Sequence, residues 1–386
     1  MSASVRPAAR ACFAALLLGL GAAAMPVASA AATKPGPQAP LALYTAQPAR
    51  TAQTTNVTAA AAGAGWIARD LSSSGALVDA ISHKPSAGDT ANAILALVAA
   101  GEASNQVRTA THWLEYHFNS YVSANGVDNP GALGLVILAA VAGGANPSHF
   151  GGQANSDDLV ARLQATEQLH GASAGVFGAT KAENAFNQSL ALLALDSVKD
   201  SGKATSLSEA YLARLQCTDG GWEYVRATLS TPCAKADPKT HSGPDTNSTA
   251  LAVMAIVAAG GHFAHGPLAF FSESQEADGS FGYYGVSGDG QRGDPDSTAE
   301  VVQGLIALRA VNDKRFVRNA ITPERALENF QYRCGAPVSE RGEFSYDGAP
   351  SQYATLQAVP AIAGEALPIS PRKLSAAEPR FSCGAG

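Results

Sequence analysis

One pattern occurs twice in this chain, first as Gln216-Cys217-Thr218-Asp219-Gly220-Gly221-Trp222 with Asp245-Thr246-Asn247-Ser248-Thr249-Ala250 after it. It returns as Gln275-Glu276-Ala277-Asp278-Gly279-Ser280-Phe281 with Asp294-Pro295-Asp296-Ser297-Thr298-Ala299 after it. The pattern indicates a repeated helix–turn–helix unit. Such a unit determines the architecture, because no single copy buries its own apolar face and neighbouring copies must stack.

Six apolar runs of small residues support the repeat. They open near Asp89, Asn129, Glu183, Asp245, Asp294 and Ala349, at intervals of 40, 54, 62, 49 and 55 residues. Each run is apolar on nearly every side, which is typical of a helix buried all round, and predicts an inner helix. Five of the six inner-helix segments are 91–100, 133–142, 190–195, 251–259 and 301–308.

Segments with one apolar stripe and one polar face precede these runs, at 107–118, 159–169, 207–215 and 323–332. They predict an outer layer of helices with one solvated side. Two concentric layers of six helices predict an all-α fold, an (α/α)6 toroid over residues 61–364. Asp245 and Asp294 occupy N-cap positions, and glycines at 101, 143, 260 and 364 follow the inner runs as stops.

The first thirty residues predict a secretory signal peptide, because Arg6 and Arg10 precede an apolar run over 13–24 and the small residues Ala28-Ser29-Ala30. Residues 31–60 are rich in Ala, Thr, Pro and Gln and predict a flexible leader, and 365–386 predict a C-terminal tail. We therefore expect a secreted, extracellular protein.

The remaining four cysteines predict disulfides, paired as neighbours: Cys217 with Cys233, and Cys334 with Cys383. The net charge of −6 without a long basic run disfavours a nucleic-acid partner. Apolar runs outside the signal peptide are shorter than the roughly 20 residues that span a bilayer, so we expect no membrane span. The cysteine spacing also favours disulfides over a metal site, and we expect neither a metal nor a cofactor.

The repeat resembles the Gln-x(2–5)-Gly-x-Trp element of the terpenoid cyclase and protein prenyltransferase toroids, the superfamily that carries squalene-cyclase repeats. Gln216 to Trp222 matches it, Gln275 to Phe281 matches with Phe for Trp, and Gln331 to Phe344 is an interrupted third copy. The resemblance implies that the Gln hydrogen-bonds a helix end and that the aromatic ring tightens the turn. It implies a fold and leaves the activity open, since cobalamin carriers use the same toroid.

Class II terpene cyclases of that superfamily carry D-x-D-D-T-A, whose middle Asp protonates the substrate. The segment 294–299 keeps five of six positions and makes Asp296 the candidate general acid, but Ser297 replaces the carboxylate that tunes it. Since Asp245 begins an equivalent segment, a repeated helix cap also explains Asp294. The sequence thus leaves acid catalysis open as an alternative.

Other chemistries find less support. A prenyltransferase needs Asp, Cys and His around zinc, and no His follows at the corresponding place. His112 and His117 are five residues apart, about 140° around a helix, whereas paired ligands need a spacing of three or four. A polysaccharide-active enzyme needs two opposed carboxylates. Its candidates are Glu183, Asp245, Asp294, Asp296 and Glu300.

The leading hypothesis is a non-catalytic protein that binds a small apolar or amphipathic ligand in a central cavity lined by Ala and Leu. Polar and aromatic side chains at the starts of the inner helices and in the turns before them are the candidate ligand contacts. They are Asn184, Gln188, Trp222, Tyr224, Asp245, Asn247, Tyr283, Tyr284, Asp294, Asp296, Gln303, Tyr346 and Tyr353.

Overall fold

The computed structural model describes residues 57–152, 156–179, 184–200, 202–226, 229–284, 293–381 and 383. The predicted signal peptide, and the predicted leader as far as residue 56, lie outside these residues. The first helix begins at Ala59, two residues before the predicted start of the toroid. The described residues form 13 α-helices and four two-stranded hairpins, so the predicted all-α class is confirmed.

Six helices form the inner layer. They are α2 (Ala87–Ala100), α5 (Pro130–Ala142), α7 (Ala185–Ser197), α9 (Thr246–Ala258), α11 (Pro295–Ala307) and α13 (Gln352–Ile362). Each inner helix packs against the one before it and the one after it, and α13 closes the ring against α2. The ring is therefore closed and is not an open solenoid, as the prediction of a toroid required.

Six outer helices cover the ring from outside. They are α1 (Ala59–Asp70), α3 (Ser104–His117), α6 (Leu159–Ala165), α8 (Lys203–Arg214), α10 (Pro267–Ser274) and α12 (Pro323–Glu328), with a short helix α4 (Asn119–Val122) after α3. Each outer helix packs on one or two inner helices. Outer helix α3 has its buried positions on one face, at Val107, Ala110, Thr111 and Leu114, which agrees with the stripe in its sequence. Outer helix α1 is buried on more than one face, since all residues in 62–68 are buried.

Small residues allow the inner helices to pack closely. A side chain on Gly134 of α5 would meet the Leu190 carbonyl of α7 at 2.6 Å. A side chain on Gly131 would likewise meet Asn187. Residues such as Ala139 and Ala191, which are fully buried, contribute to the same close approach. The Ala-rich and Gly-rich composition of the inner runs is thus a packing requirement of the ring.

Short hairpins stand at the end of the ring where the inner helices begin. They are β1 (Leu77–Val78) with β2 (Pro85–Ser86), β3 (Ser123–Ala124) with β4 (Val127–Asp128), β5 (Trp222–Glu223) with β6 (Pro244–Asp245), and β7 (Phe344–Tyr346) with β8 (Ala349–Ser351). All four pairs are antiparallel, with Trp222 opposite Asp245 and Phe344 opposite Ser351. We call this end of the ring the mouth.

The helix boundaries follow their capping residues. Ser86 caps α2 and Ser351 caps α13, so these helices begin at 87 and 352 rather than near Asp89 and Ala349 as the sequence suggested. Three of the predicted stop glycines, at 101, 260 and 364, have φ of 73°, 71° and 76°. At the fourth stop the left-handed residue is Gly144, with φ 81°, and Gly143 keeps helical φ.

The C-terminal segment after α13 is extended and packs on the ring. Its backbone pairs with the α2–α3 turn, since the Ala103 N–H donates to the Ala377 carbonyl at 3.1 Å and the Ser375 N–H donates to the Gly101 carbonyl at 2.8 Å. Ile369 and Phe381 are buried. The predicted tail is therefore part of the packed structure, and the Cys334–Cys383 disulfide ties its end to the turn after α12.

Candidate functional site

The three Gln residues of the repeated element fix turns. Gln216 donates through Nε2 to the Gly220 carbonyl at 3.1 Å and to the His265 carbonyl at 2.7 Å, just before the next outer helix. Gln275 bonds the Gly279 and Phe316 carbonyls at 3.0 and 2.8 Å.

The interrupted third copy has the same geometry. Gln331 bonds the Gly342 carbonyl at 3.0 Å and the Ala59 carbonyl at 2.9 Å. The element is thus structural in all three copies.

The aromatic residue of each element is part of the core. Trp222 is 0% exposed, and its indole N–H donates to the Leu212 carbonyl at 2.9 Å. Phe281 and Phe344 are also fully buried. Trp222 was a candidate ligand contact in the sequence, but in the structure it packs inside its own turn.

Two further copies of this turn were not predicted from the sequence. Leu77 and Phe177 take the place of the aromatic residue, two positions after glycines 75 and 175. Both glycines have φ of 93°, and an added Cβ would strike the backbone of the next outer helix. The signal was present as Gly-x-(apolar), but no Gln precedes these copies at the matching position.

The Asp and Asn residues before the inner helices are caps. The Asp245 Oδ1 accepts the Ser248 N–H at 2.7 Å, and the Asp294 Oδ1 accepts the Ser297 N–H at 2.7 Å. Asn184 caps α7 in the same way through the Asn187 N–H at 2.7 Å. Since three of the candidate contacts hold helix starts, their position at the mouth follows from the fold.

The middle stretches of the inner helices are buried. All residues in 93–99, 130–140, 188–195, 248–256, 295–305 and 358–361 are buried. A ligand-sized channel would expose one face of each inner helix, and these stretches expose none. No wide channel therefore crosses the described part of the ring, and a central cavity lined by Ala and Leu stays a prediction.

Partly exposed inner-helix side chains lie at both ends of the ring. Those near the mouth are mostly polar. They are Asp89, Asn92, Phe186, Asn187, Asn247, Tyr353 and Gln357. Two grooves of about 370 and 600 Å³ lie at the opposite end, beside glycines 143 and 260 where α5 and α9 end. The candidate residues do not line those grooves.

Helices α11 and α13 bring acids and a tyrosine together at the floor of the mouth. The Gln357 Nε2 donates to Glu300 Oε1 at 3.1 Å and to the Tyr353 hydroxyl at 2.6 Å. Asp296 lies one turn before Glu300 on α11, and both carboxyl groups are buried. We call Asp89, Tyr121, Asp296, Glu300, Tyr353 and Gln357 the acid–tyrosine cluster.

Burial controls the ionisation of this cluster. Burial, and after it the carboxyl groups of Asp294 and Glu300, raise the pKa of Asp296 well above its ordinary value. Burial alone raises the pKa of Glu300 to about 7, and burial raises that of Asp89 to about 6. Burial and then the charges of Asp296 and Glu300 raise the pKa of Tyr353. Burial thus favours the protonated form of these acids, and the pKa of Glu300 lies near neutral pH.

A second group surrounds Asp245. The rings of Tyr283 and Tyr284 meet edge to face at 4.8 Å, and burial raises the pKa of the Asp245 carboxyl to about 7. Burial and then the charge of Asp245 raise the pKa of Tyr224. Tyr346 belongs with the first group instead, since burial and then Asp294 and Asp296 raise its pKa.

Two candidate amides have local partners. Gln188 accepts the Phe177 N–H at 3.0 Å and donates to the Phe177 carbonyl at 2.9 Å, so it holds a turn. Asn247 accepts from the neighbouring Thr246 hydroxyl at 3.1 Å. Gln303 is buried on α11, in the same stripe as Glu300. Glu183, a candidate for polysaccharide chemistry, lies outside the described residues.

Sequence analysis did not identify three members of the acid–tyrosine cluster: Asp89, Tyr121 and Gln357. Asp89 was noted as a helix start only, and Tyr121 belongs to α4, which no pattern predicted. Gln357 lies one turn after Tyr353, a spacing that places both side chains on one face of a helix. Tyr121 reaches the site because Gly88 leaves room, as its missing side chain would approach the tyrosine ring at 3.0 Å.

The cysteines form the two predicted disulfides, Cys217–Cys233 and Cys334–Cys383. Within the described ranges, the acidic and thiol groups close enough to hold a metal ion together are Cys217, Glu223 and Cys233. That disulfide leaves no thiolate to bind a metal. None of the helices in the described part of the chain combines the length and apolarity that a bilayer crossing needs.

No family model and no curated protein matches the sequence. Among solved structures, the chain is similar to a protein designated UGL with dGlcA-Glc-Rha-Glc, at 13% identity over 79% of this chain and 95% of that one, with a TM-score of 0.51. It also matches ent-copalyl diphosphate synthase from Streptomyces platensis at 17% identity over 73% of this chain, with a TM-score of 0.41. The chain spans about half of that synthase, 51% of its length.

A third match is Candida albicans protein geranylgeranyltransferase-I complexed with GGPP, at 9% identity over 70% of this chain and 82% of that one, with a TM-score of 0.46. At such identities, a structural likeness shows the fold alone. Of these three likenesses, the one to UGL, with a TM-score of 0.51, supports the fold assignment. With the closed ring of six helix pairs, it defines this chain as an (α/α)6 toroid protein. The resemblance found in the sequence is thereby confirmed for the fold, and the fold leaves the activity open.

Proposed function

We propose that this chain is an exported, non-catalytic toroid that binds the polar end of a small amphipathic ligand at the mouth of its ring. The observation that carries the proposal is the polar character of the partly exposed inner-helix side chains at the mouth. The middle stretches of the inner helices are buried, whereas polar side chains such as Asn92, Asn187 and Gln357 remain accessible near the mouth. Small-molecule sites combine such orienting polar groups with an apolar surround.

The ligand's apolar part has a place beside these groups. Phe186 is partly exposed next to Asn187, and Tyr353 presents its ring beside Gln357. Export is supported by the two disulfides, which persist in oxidising compartments, and by the signal-peptide pattern of residues 1–30.

The test is ligand-dependent thermal unfolding of the purified protein, because a molecule that binds the folded state alone raises the melting temperature. The probes are 1-octanol, squalene and cellotetraose, which represent amphipathic, apolar and saccharide ligands. We expect 1-octanol to raise the melting temperature, and Tyr353→Phe to reduce that rise. Tyr116→Phe, on the exposed side of outer helix α3, is the matched control. A rise with squalene or cellotetraose alone contradicts the proposal.

Acid catalysis by Asp296 is the second candidate, and one observation favours it. Asp296 is buried, its Oδ1 has no hydrogen-bond partner, and its raised pKa keeps a proton available. If the protein converts squalene or geranylgeraniol to cyclic products and Asp296→Asn does not, the chain is an enzyme and the binding proposal fails. Release of sugars from cellotetraose likewise contradicts it.

A further inference from the structure

Four buried side-chain oxygens on two adjacent inner helices have no hydrogen-bond partner. They are Asp296 Oδ1, Glu300 Oε2 and Gln303 Oε1 on α11, and Gln357 Oε1 on α13. Asp296, Glu300 and Gln303 are only 4%, 6% and 4% exposed, so water does not satisfy them from the surface. Their spacing of four and then three residues puts them on one stripe of α11. The Gln357–Glu300 hydrogen bond joins α13 to that stripe.

Unpartnered buried acceptors are uncommon, because each loses its hydrogen bonds to water on folding. Elsewhere in the mouth, Asp245 and Asp294 cap helices through Oδ1. Asp245 Oδ2 and Ser248 Oγ at the start of α9 also have no hydrogen-bond partner. The four oxygens serve no turn, cap or helix contact among the described residues. A group of acceptors without donors therefore points to a donor that the chain does not supply.

The charge of the surrounding side chains also favours a cationic donor. The titratable groups that interact with Asp296 or Glu300 are Asp294, Tyr346 of the β7–β8 hairpin and Tyr353 of α13. Asp89 of α2 and Tyr121 of α4 interact with Tyr353, and Asp347 interacts with Asp294 and Tyr346. All of these are acids or phenols. The ion pairs among the described residues lie elsewhere, and none includes Asp296 or Glu300. The described site is thus acidic and has no built-in counter-ion.

Resting on the proposed function, we infer that the polar end of the ligand is a primary ammonium group, which donates its N–H bonds to Asp296, Glu300 and Gln303. A primary ammonium carries three donors and one positive charge, which matches a stripe of three acceptors, two of them carboxyl groups. A metal ion fits less well. Among the described residues, these two carboxyl groups do not belong to a set of three or more acidic, histidine or thiol ligands that could share an ion.

Binding of the ammonium displaces protons. The free site holds a neutral carboxylic acid at Glu300, and the bound site holds its carboxylate against the R–NH3+ group, so one proton leaves to water for each acid that ionises. No bond of the ligand changes. By linkage, the ammonium binds more tightly as the pH rises from 6 to 8, where n-octylamine itself remains protonated.

The test is calorimetric titration of the full exported chain with n-octylamine, 1-octanol and octyltrimethylammonium. These share one tail, and their heads are a charged donor, a neutral hydroxyl and a charge without donors. We expect n-octylamine to bind about tenfold more tightly than either of the others at pH 8, and about tenfold more tightly at pH 8 than at pH 6. Glu300→Gln reduces the first ratio to about twofold, and Glu115→Gln on outer helix α3 leaves it unchanged.

The other outcomes overturn the inference in different ways. Equal affinity for 1-octanol and n-octylamine would show that the site does not select a cation, although it still binds an amphipathic ligand. Equal affinity for octyltrimethylammonium and n-octylamine would show that the site does not require N–H donors. If the protein binds calcium and Glu300→Gln abolishes that binding, the site holds a metal ion rather than an ammonium group. Failure of all three octyl probes to bind overturns this inference and the proposed function together. Because Glu300→Gln removes a buried charge and keeps the side-chain shape, its folding is checked by its own melting temperature.

Discussion

The Phe281 backbone N–H donates to the Thr298 Oγ1 at 3.0 Å, which joins the turn before α11 to the first turn of that helix. The same bond joins Trp222 to Thr249 at 2.9 Å and Phe344 to Thr355 at 2.9 Å. Each threonine is the fourth residue of its inner helix, and each N–H is buried. The repeated Thr-Ala after the caps is therefore explained by a turn-to-helix hydrogen bond.

Replacing Thr298 by Val removes this acceptor and keeps the size of the side chain. We expect the free energy of unfolding to fall by about 1–3 kcal/mol, since the Phe281 N–H is left buried and unpaired. Urea unfolding followed by circular dichroism measures the change. Thr298→Ser retains the hydroxyl and is expected to lose less. Equal losses for the two variants would show that packing, and not the hydrogen bond, fixes the turn.

The buried acid Glu300 makes stability depend on pH. Its pKa rises from 4.5 in the unfolded chain to about 7 in the folded one, because burial disfavours the carboxylate. The folded state thus keeps the proton longer, and the stability that Glu300 contributes is complete below pH 4.5 and is lost as the pH rises through 7. The difference corresponds to about 3 kcal/mol from this one group.

Glu300→Gln is therefore expected to stabilise the protein at pH 8 and to have little effect near pH 4. Its amide oxygen still accepts from Gln357, but it never ionises. Urea unfolding at pH 4, 6 and 8 measures the crossover, with Glu115→Gln as the exposed-side comparison. If Glu300→Gln is equally destabilised at every pH, the carboxyl group contributes a structural contact and its burial has no role in a site.

The two disulfides are expected to differ in effect. Cys217–Cys233 spans 16 residues and Cys334–Cys383 spans 49. In the chain-entropy account, their loss costs about 3 and about 4 kcal/mol. Replacing Cys334 and Cys383 by Ser also frees the segment that carries Phe381, so trypsin is expected to cut there first. If the tail of that variant resists trypsin as long as the native tail does, the backbone bonds to 101 and 103 hold the segment without the disulfide.

Much of the fold was readable from the sequence because its signals are local. The apolar runs located all six inner helices, and the caps at Asp245 and Asp294 were recognised from residue type and position. The cysteine pairs also followed from their order along the chain. The turns at glycines 75 and 175 were missed, because both lack the Gln that marks the other copies and the first has Leu77 in place of the aromatic residue.

The candidate site was less predictable, because it depends on distances between repeats. Asp89 and Tyr353 are 264 positions apart by number and meet only when α13 closes the ring against α2. Trp222 was chosen for its residue type, and its burial is decided by how deeply its turn packs.

The most direct test of the account is a steric block of the mouth. Asn92 of α2 is partly exposed one turn after Asp89, while residues 93–99 are buried, so Asn92→Trp places an indole over the acid–tyrosine cluster. Asn105→Trp, on the exposed face of outer helix α3, is the control. Calorimetric titration with n-octylamine is expected to show at least about tenfold weaker binding for Asn92→Trp and native binding for Asn105→Trp. Native affinity in a folded Asn92→Trp variant would contradict the claim that the mouth of the ring is the binding site.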